Sequence, residues 1–254
     1  FKYNDPQSFD EAMNRLDGRL AAVVMEPMRS QWPKDGFLEK VASRCRAAGG
    51  IFVVDEVTSG WRYGFPGALT TLQVEPDIAV YAKAMGNGFP CATVIGREKI
   101  MDAANPSFIS SSYWTDGVGP AAALACIRKI RDQKVQPKVW KMGEILQSKL
   151  REAAARHPSV KLTVGGMPSG PSLAFDLGKQ NLAAKSLFIR KMLARGFLAS
   201  SQLYLMFAND SAKIESFAGA VDESLGEMEK LISAGRLEAE AGPKVAASGF
   251  TRLT

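Results

Sequence analysis

The sequence predicts an α/β fold, and two kinds of pattern support this prediction. Short apolar runs, typical of strands that are buried on both faces, alternate with segments whose apolar residues recur at helical spacing. This alternation is typical of a sheet that helices cover on both sides. The chain has 254 residues, of which 46% are hydrophobic and 23% are charged, so its composition suits one large globular domain or two modest ones.

The first part of the chain contains most of the predicted strands. Apolar residues at helical spacing, followed by Gly49 as a C-terminal cap, predict a helix over residues 36–49. Uninterrupted apolar runs on both sides of this helix predict buried strands. Strands are expected over residues 20–27, 51–57, 76–83, 91–96 and 107–114.

A long alanine-rich helix is expected after Pro120, over residues 121–156, with a break near Pro137. We therefore expect a first domain over residues 1–156, which includes this linking helix, and a smaller α/β domain over residues 157–254. The elements expected in the second domain are strands over residues 160–166 and 172–178, an apolar segment over residues 196–208, and helices over residues 182–195 and 211–234.

Composition argues against several classes of function. The longest apolar run, residues 20–25, is far shorter than the roughly 18 residues that a membrane span needs, and no secretory leader is apparent, so we expect a cytoplasmic protein without a membrane partner. The three cysteines form no C-x-x-C pattern, and the single histidine, His157, rules out a two-histidine metal site. We therefore expect no metal site. The net charge of +6 comes largely from one long helical segment, which is typical of a solvated helix face, so we expect no nucleic-acid partner either.

Two polar residues end neighbouring apolar strands of the predicted sheet. Asp55 ends the run IFVVD, and Lys83 ends the run DIAVYAK. Ligands of open α/β sheets bind at the carboxyl ends of the strands, so these two residues are candidates for a functional site. Strand alternation places Asp55 and Val57 on one face of the sheet and Glu56 on the other, so Asp55 and Glu56 are not expected to act as a carboxylate pair.

Lys83 stands between a buried strand and a Gly-Asn-Gly turn, and three interpretations of it remain open. It could form a structural ion pair with Asp55, or the MGNG turn that follows it could bind a phosphate group, although G-x-G alone is a weak signal. The third interpretation is a lysine whose amine forms a Schiff base in a dry pocket. An aspartate on a neighbouring strand that holds a pyridinium nitrogen is what pyridoxal phosphate chemistry requires, but spacing alone does not decide between the three.

Several landmarks in a fixed order resemble the class III aminotransferases, and within them the branch near glutamate-1-semialdehyde aminomutase. The resemblance extends from Phe9 to about Ile130. It implies the fold of the PLP-dependent transferases of fold type I, with this chain forming the second part of the large sheet domain and then the smaller C-terminal α/β domain. The landmarks are MEP at residues 25–27, GFLEKV at 36–41, FVVDEVTSGWR at 52–62, EPDIAVYAKAMGNGFP at 75–90 and IGREKIM at 95–101.

The resemblance implies roles for four residues toward the cofactor pyridoxal 5'-phosphate (PLP). Lys83 would form the internal aldimine and later move the proton between the substrate and the cofactor. Asp55 would keep the pyridine nitrogen protonated, and Val57 would pack against the flat ring. Ser112 stands where relatives usually have the threonine whose hydroxyl reaches the cofactor phosphate of the partner subunit.

The chain departs from the family pattern at three positions. Ala82 and Asn87 stand where relatives usually have glycine, and asparagine tolerates a left-handed backbone better than most residues. Asn209 lies in a segment where relatives often place a histidine. The family segment that cradles the cofactor phosphate precedes the point where this sequence begins, so we interpret the chain as the C-terminal portion of an aminotransferase.

The resemblance implies a PLP-dependent enzyme that moves an amino group from a small-molecule amino donor to a carbonyl acceptor. Because family members build their active sites across a two-fold interface, we expect a homodimer. Two alternatives stay open, an intramolecular aminomutase of the glutamate-1-semialdehyde 2,1-aminomutase type and a catalytically incompetent fragment of either enzyme. A nucleotide-binding domain that uses the MGNG turn is a further alternative, and it predicts that Lys83→Ala leaves ligand binding unchanged.

Overall fold

The computed structural model of the protein describes residues 1–16, 18–28, 30–112 and 114–246. The chain divides into two compact units, residues 1–136 and 137–254. This division falls at the start of the long helix Val135–Arg156, whereas the predicted boundary of 156/157 lies at its end. The helix belongs mainly to the second unit because its apolar residues, among them Leu146 and Leu150, are part of that unit's core.

A four-stranded mixed sheet forms the centre of the first unit. Its order is β1-β2-β3-β4, and β1, β2 and β3 are parallel while β4 runs antiparallel to β3. The register places Asp55 opposite Val80 on the neighbouring strand. The strands are β1 (Ala22–Met25), β2 (Ile51–Asp55), β3 (Ile78–Tyr81) and β4 (Thr93–Gly96), each shorter than the run that predicted it.

Helices cover one face of this sheet. Phe52 and Val54 of β2 point toward a core that includes Phe9 of α1 and Leu38 of α2. The other face remains open among the described residues of this unit: it carries Val24, which is 65% exposed, and Val94, which is 53% exposed. The helices of the first unit are α1 (Pro6–Leu16), α2 (Phe37–Ala47), α3 (Ala68–Leu72), α4 (Glu98–Met101) and α5 (Val118–Asp132).

The strand predicted over residues 107–114 is wrong for the part that the structure describes. Residues 107–112 and Trp114 have no strand structure, and Tyr113 lies outside the described residues. The apolar residues of this segment are not buried, since Phe108 is 96% and Ile109 is 58% exposed. An apolar run predicts a buried strand only where its side chains have a core to pack against.

The described residues of the second unit form helices and one hairpin. Strands β5 and β6 pair antiparallel, and the apolar segment that follows α7 runs beside β6, where the Leu203 amide donates to the Pro171 carbonyl. The long helix begins after Lys134, whose φ is +49°, and Pro137 lies in its first turn, a position that proline tolerates. The elements are α6 (Val135–Arg156), β5 (Leu162–Met167), β6 (Gly170–Phe175), α7 (Asn181–Ala194), α8 (Ser211–Ser233) and α9 (Leu237–Ala241).

None of the helices in the described ranges combines the length and the apolar character that crossing a bilayer requires.

Candidate active site

Asp55 and Lys83 lie at the same edge of the first unit's sheet. Strands β2 and β3 are parallel and adjacent, so their carboxyl ends meet there. Asp55 is the last residue of β2, and Lys83 follows β3 by two residues. Asp55 shares the open face of the sheet with Val80, its partner in register, and with Val94, which pairs with Val80. The structure therefore places at one sheet edge the two residues that the sequence singled out.

The backbone of Lys83 is left-handed, with a φ of +47°. Few residues other than glycine adopt this conformation, and such residues cluster at functional sites. The carbonyl of Lys83 accepts a hydrogen bond of 2.9 Å from the Asn87 amide, and Asn87 is itself left-handed with a φ of +45°. This hydrogen bond from the Gly-Asn-Gly turn stabilises the backbone conformation of Lys83.

The amine of Lys83 is held by a hydroxyl group. Its Nζ donates to Oγ1 of Thr58 at 2.9 Å. Asp55 instead accepts a hydrogen bond of 2.8 Å from the Val57 amide. Within the described ranges no ion pair joins Lys83 to Asp55, so the interpretation of Lys83 as half of a structural ion pair does not hold.

Glu56 lies on the other face from Asp55, as alternation predicted, and it has a structural role. Its side chain is fully buried and accepts hydrogen bonds from the Ser59 hydroxyl and from the amides of Ala68 and Leu69, the last two at 3.2 and 3.0 Å. At Gly67 a Cβ atom would lie 2.4 Å from Oε1 of Glu56, so glycine is required there. The Glu56 carboxylate thereby joins the two ends of residues 56–69. We call this segment, which contains Thr58, the Glu56 loop.

Val57 and Ser112 both lie outside the strands of the sheet. Strand β2 ends at Asp55, so Val57 lies in the turn that follows, half-buried, with its amide on the Asp55 carboxylate. Ser112 is exposed in the irregular segment 107–112. No hydrogen bond joins Ser112 to Asp55, Val57 or Lys83 in the part of the chain that the structure describes.

The MGNG turn lacks the helix that a phosphate-binding loop of this kind requires. After Gly86 and Gly88 the chain continues into the antiparallel strand β4 and not into a helix. Phosphate-binding glycine loops place the anion at a helix N-terminus. At Gly86 a Cβ atom would lie 2.4 Å from the Phe89 carbonyl oxygen, so this glycine serves the close approach of two backbone segments.

Residues on either side of Lys83, Tyr81 and Met85, belong to a buried apolar cluster, whereas Lys83 itself is exposed. Tyr81 and Trp61 pack with ring centroids 5.7 Å apart, and burial, followed by the charge of Glu56, raises the pKa of Tyr81 to about 12. The Cys126 thiol donates to the Ala84 carbonyl at 3.3 Å, and burial raises its pKa as well. Neither group ionises near neutral pH, so neither competes with Lys83 as a nucleophile.

Thr58 is the residue of this site that the sequence analysis missed. It belongs to the landmark DEVTSGW and lies one residue after Val57. The only signal available was the presence of a hydroxyl in that landmark, because its contact with Lys83 depends on the turn after β2 and on the left-handed backbone of Lys83.

His157 has a structural role in the second unit. Its Nδ1 lies 3.0 Å from Oε2 of Glu229, and its Nε2 lies 3.1 Å from Oδ1 of Asp222. Hydrogen bonds from His157 and then from Ser159 hold the pKa of Glu229 below its ordinary value. The histidine thus joins the end of α6 to α8.

Comparison with known sequences identifies relatives over most of the chain. Residues 4–204 match the family "Aminotransferase class-III". The chain is 31% identical to aminopentol aminotransferase of Sphingopyxis macrogoltabida over 181 residues, which are 69% of this chain and 43% of the relative. It is 29% identical to glutamate-1-semialdehyde 2,1-aminomutase of Alkaliphilus oremlandii over 249 residues, which are 90% of this chain and 58% of the relative. The chain spans about half the length of the curated relatives it matches.

Comparison with solved structures gives the same result for the fold. The FumI protein of Sphingopyxis sp. MTA144, solved in its PLP internal aldimine form, superposes with a TM-score of 0.85 and 25% identity, over 92% of this chain and 58% of that chain. An omega-transaminase from Sphaerobacter thermophilus, at 22% identity, shares the fold with a TM-score of 0.81 over 89% of this chain and 56% of that chain. The predicted fold is confirmed, and the chain belongs to the class III aminotransferase family, whose members here have the fold type I architecture of the PLP-dependent transferases.

Proposed function

We propose that this chain provides the lysine and aspartate side of a PLP-dependent aminotransferase site, which moves an amino group between a small amino donor and a carbonyl acceptor. The observation that carries the proposal is the arrangement of Lys83 and Asp55 at one sheet edge in a member of this family. Lys83 extends from a left-handed backbone, and its amine pairs with no carboxylate among the residues that the structure describes.

The residues at this edge fit PLP. One oxygen of Asp55 accepts from Val57, and the other takes no hydrogen bond from any described residue, so it can accept one from a protonated ring nitrogen. Lys83 would hold PLP covalently, and Val57 would pack against its ring. The Ser112 hydroxyl, which is exposed in an irregular segment, would contact the phosphate of the PLP bound to a second subunit.

PLP supplies an electron sink that stabilises a carbanion at the substrate carbon. The chain's own part is proton transfer and orientation. Lys83 Nζ, once released, would take the proton from that carbon and return it at the other end of the transfer. Asp55 would hold the proton on the ring nitrogen, where its negative charge favours the charged ring.

The same residues would serve an aminomutase, in which one substrate gives and receives the amino group. This second candidate is supported by relatives such as the glutamate-1-semialdehyde 2,1-aminomutase of Chlamydia caviae, which is 32% identical over 149 residues, 56% of this chain and 34% of the relative. Transfer of an isotopically labelled amino group to a second molecule supports the aminotransferase, and retention of the label within one carbon skeleton supports the aminomutase. If the chain binds PLP but transfers no amino group, it is a catalytically incompetent fragment. We further propose that the protein is a cytoplasmic homodimer.

The first test is to locate bound PLP. The chain is incubated with limiting PLP, reduced with borohydride, and mapped by peptide mass spectrometry. Label is expected to concentrate on Lys83, to disappear in Lys83→Ala, and to persist in Lys99→Ala, where an exposed lysine of the same unit is removed. Label distributed evenly over Lys83, Lys99 and other exposed lysines would contradict the proposal.

A further inference from the structure

We propose that Thr58 is the positioning residue of Lys83, because its hydroxyl can hold Nζ of the lysine in either protonation state. The proposal rests on the proposed function of Lys83, and it assigns to Thr58 a role that does not follow from the family landmarks. Three features of the structure support it: the contact itself, the rigidity of Thr58, and the chemistry of a hydroxyl as partner.

The contact fixes the end of an otherwise exposed side chain. Lys83 is exposed as a residue, whereas Thr58 is only 5% exposed. The Nζ–Oγ1 distance of 2.9 Å is that of a good hydrogen bond. A free lysine samples many rotamers, so one hydrogen bond to a buried partner selects the rotamers that bring the amine to Thr58.

Thr58 is itself held by groups other than Lys83. Its carbonyl accepts a hydrogen bond of 2.7 Å from Nη1 of Arg62. The turn that contains it is closed by the Gly60 amide, which donates to the Glu56 carbonyl, and by the buried Glu56 carboxylate. The position of the hydroxyl is therefore set by the Glu56 loop, and Lys83 adapts to it.

A hydroxyl holds an amine without selecting its charge. The Thr58 oxygen accepts a hydrogen bond from an ammonium group, and its O–H can donate one to a neutral amine. A carboxylate can only accept, and it favours the ammonium form. Asp55 is a carboxylate that could favour the ammonium form, but its hydrogen bond comes from the Val57 amide and not from Lys83. Lys83 would gain and lose a proton at Nζ during each turnover, and a hydroxyl partner can hold the amine in both states, whereas a carboxylate favours only one.

The test needs no cofactor in its first part. The order parameter of the Lys83 ammonium group is measured by nuclear magnetic resonance in the wild-type chain, in Thr58→Val, which has the same shape without the hydroxyl, and in Thr58→Ser, which keeps it. Lys99 serves as an exposed reference within each sample. Lys83 is expected to be ordered in the wild type and in Thr58→Ser, and as mobile as Lys99 in Thr58→Val.

The second part measures labelling of Lys83 by PLP and borohydride in the same variants. Thr58→Val is expected to lower the labelling rate about fivefold to tenfold, the effect of one lost hydrogen bond, and Thr58→Ser is expected to restore it. Labelling by formaldehyde, which needs no oriented amine, is expected to change less than about twofold.

The outcomes separate the two proposals. A wild-type Lys83 as mobile as Lys99 overturns the role of Thr58, and this result needs no variant to fold. Unchanged order of Lys83 in a folded Thr58→Val chain overturns it as well. Ordered Lys83 that PLP does not label preferentially leaves the role of Thr58 standing and contradicts the proposed function instead.

Discussion

Two buried carboxylates organise the first unit, one at each end of its sheet. Glu56 closes the loop at the carboxyl ends of the strands. Asp77 lies before β3 at the opposite end, where Oδ2 accepts from the Phe52 amide at 2.8 Å. Its Oδ1 lies 3.5 Å from Nε of Arg46 and 3.3 Å from Nε of Arg97. Each carboxylate satisfies several donors at once, which is the condition under which a buried charge is stable.

Replacement of Asp77 by alanine is expected to destabilise the first unit by about 2–3 kcal/mol, because a buried amide and two guanidinium groups lose their acceptor. Glu75→Ala is the matched control, since Glu75 pairs with the same Arg97 at 3.7 Å but its side chain is 88% exposed. Its removal is expected to cost less than about 0.5 kcal/mol. Equal losses for the two variants in urea denaturation would show that burial of Asp77 does not determine its contribution.

The sequence predicted the positions of Asp55 and Lys83 at the ends of neighbouring strands, but not the contact that holds the lysine. An apolar strand that ends in a charged residue is a local pattern, and both residues lie where that pattern places them. The partner of Lys83 depends on the left-handed backbone at Lys83 and on a turn closed by Glu56, which contacts amides more than ten positions away. No local pattern contains these tertiary contacts.

At the scale of the elements, strand and helix limits were set by local hydrogen bonds that periodicity ignores. The run IFVVDEV predicts a strand to residue 57, but β2 ends at Asp55, whose side chain accepts from the Val57 amide. Side chains of aspartate compete with the sheet for backbone amides in this way. The break in the long helix falls at Lys134 and not at Pro137, because proline is acceptable in the first turn of α6.

Two helical glycines of the second unit are expected to respond to alanine in opposite directions. A Cβ atom at Gly143 of α6 would lie 1.8 Å from the Pro168 carbonyl oxygen, so Gly143→Ala is expected to destabilise the unit by about 2 kcal/mol. Gly219 of α8 is exposed and has no atom within 4 Å of such a Cβ. Gly219→Ala is expected to stabilise by about 0.5–1 kcal/mol, since alanine favours a helix. Thermal unfolding measures both, and a stabilising Gly143→Ala would refute the close packing of α6 on the hairpin turn.

At the scale of the whole molecule, each unit has a core of its own. The core of the second unit is built from residues of α6, the hairpin and α7 to α9, and it includes the fully buried Leu150, Phe188 and Leu225. The core of the first unit joins α1 and α2 to β1 and β2. Units that bury their own apolar residues can fold independently.

Residues 137–254 expressed alone are therefore expected to be helical and to unfold cooperatively. Circular dichroism during urea denaturation measures this, and Leu225→Ala in the same piece is expected to cost about 2–5 kcal/mol, because it leaves a cavity in the core. A gradual, uncooperative loss of signal, unaffected by Leu225→Ala, would show that this unit needs the first one to fold.

The open face of the first unit's sheet has a consequence for the behaviour of the chain in solution. Val24 and Val94 expose apolar surface there, and β1 and β4 are the edge strands among the described residues. Apolar faces and unpaired strand edges both favour association with other chains. Colloidal solubility, and not the free energy of folding, is therefore expected to limit the concentration at which this chain can be handled, and a mild non-ionic detergent should raise that limit.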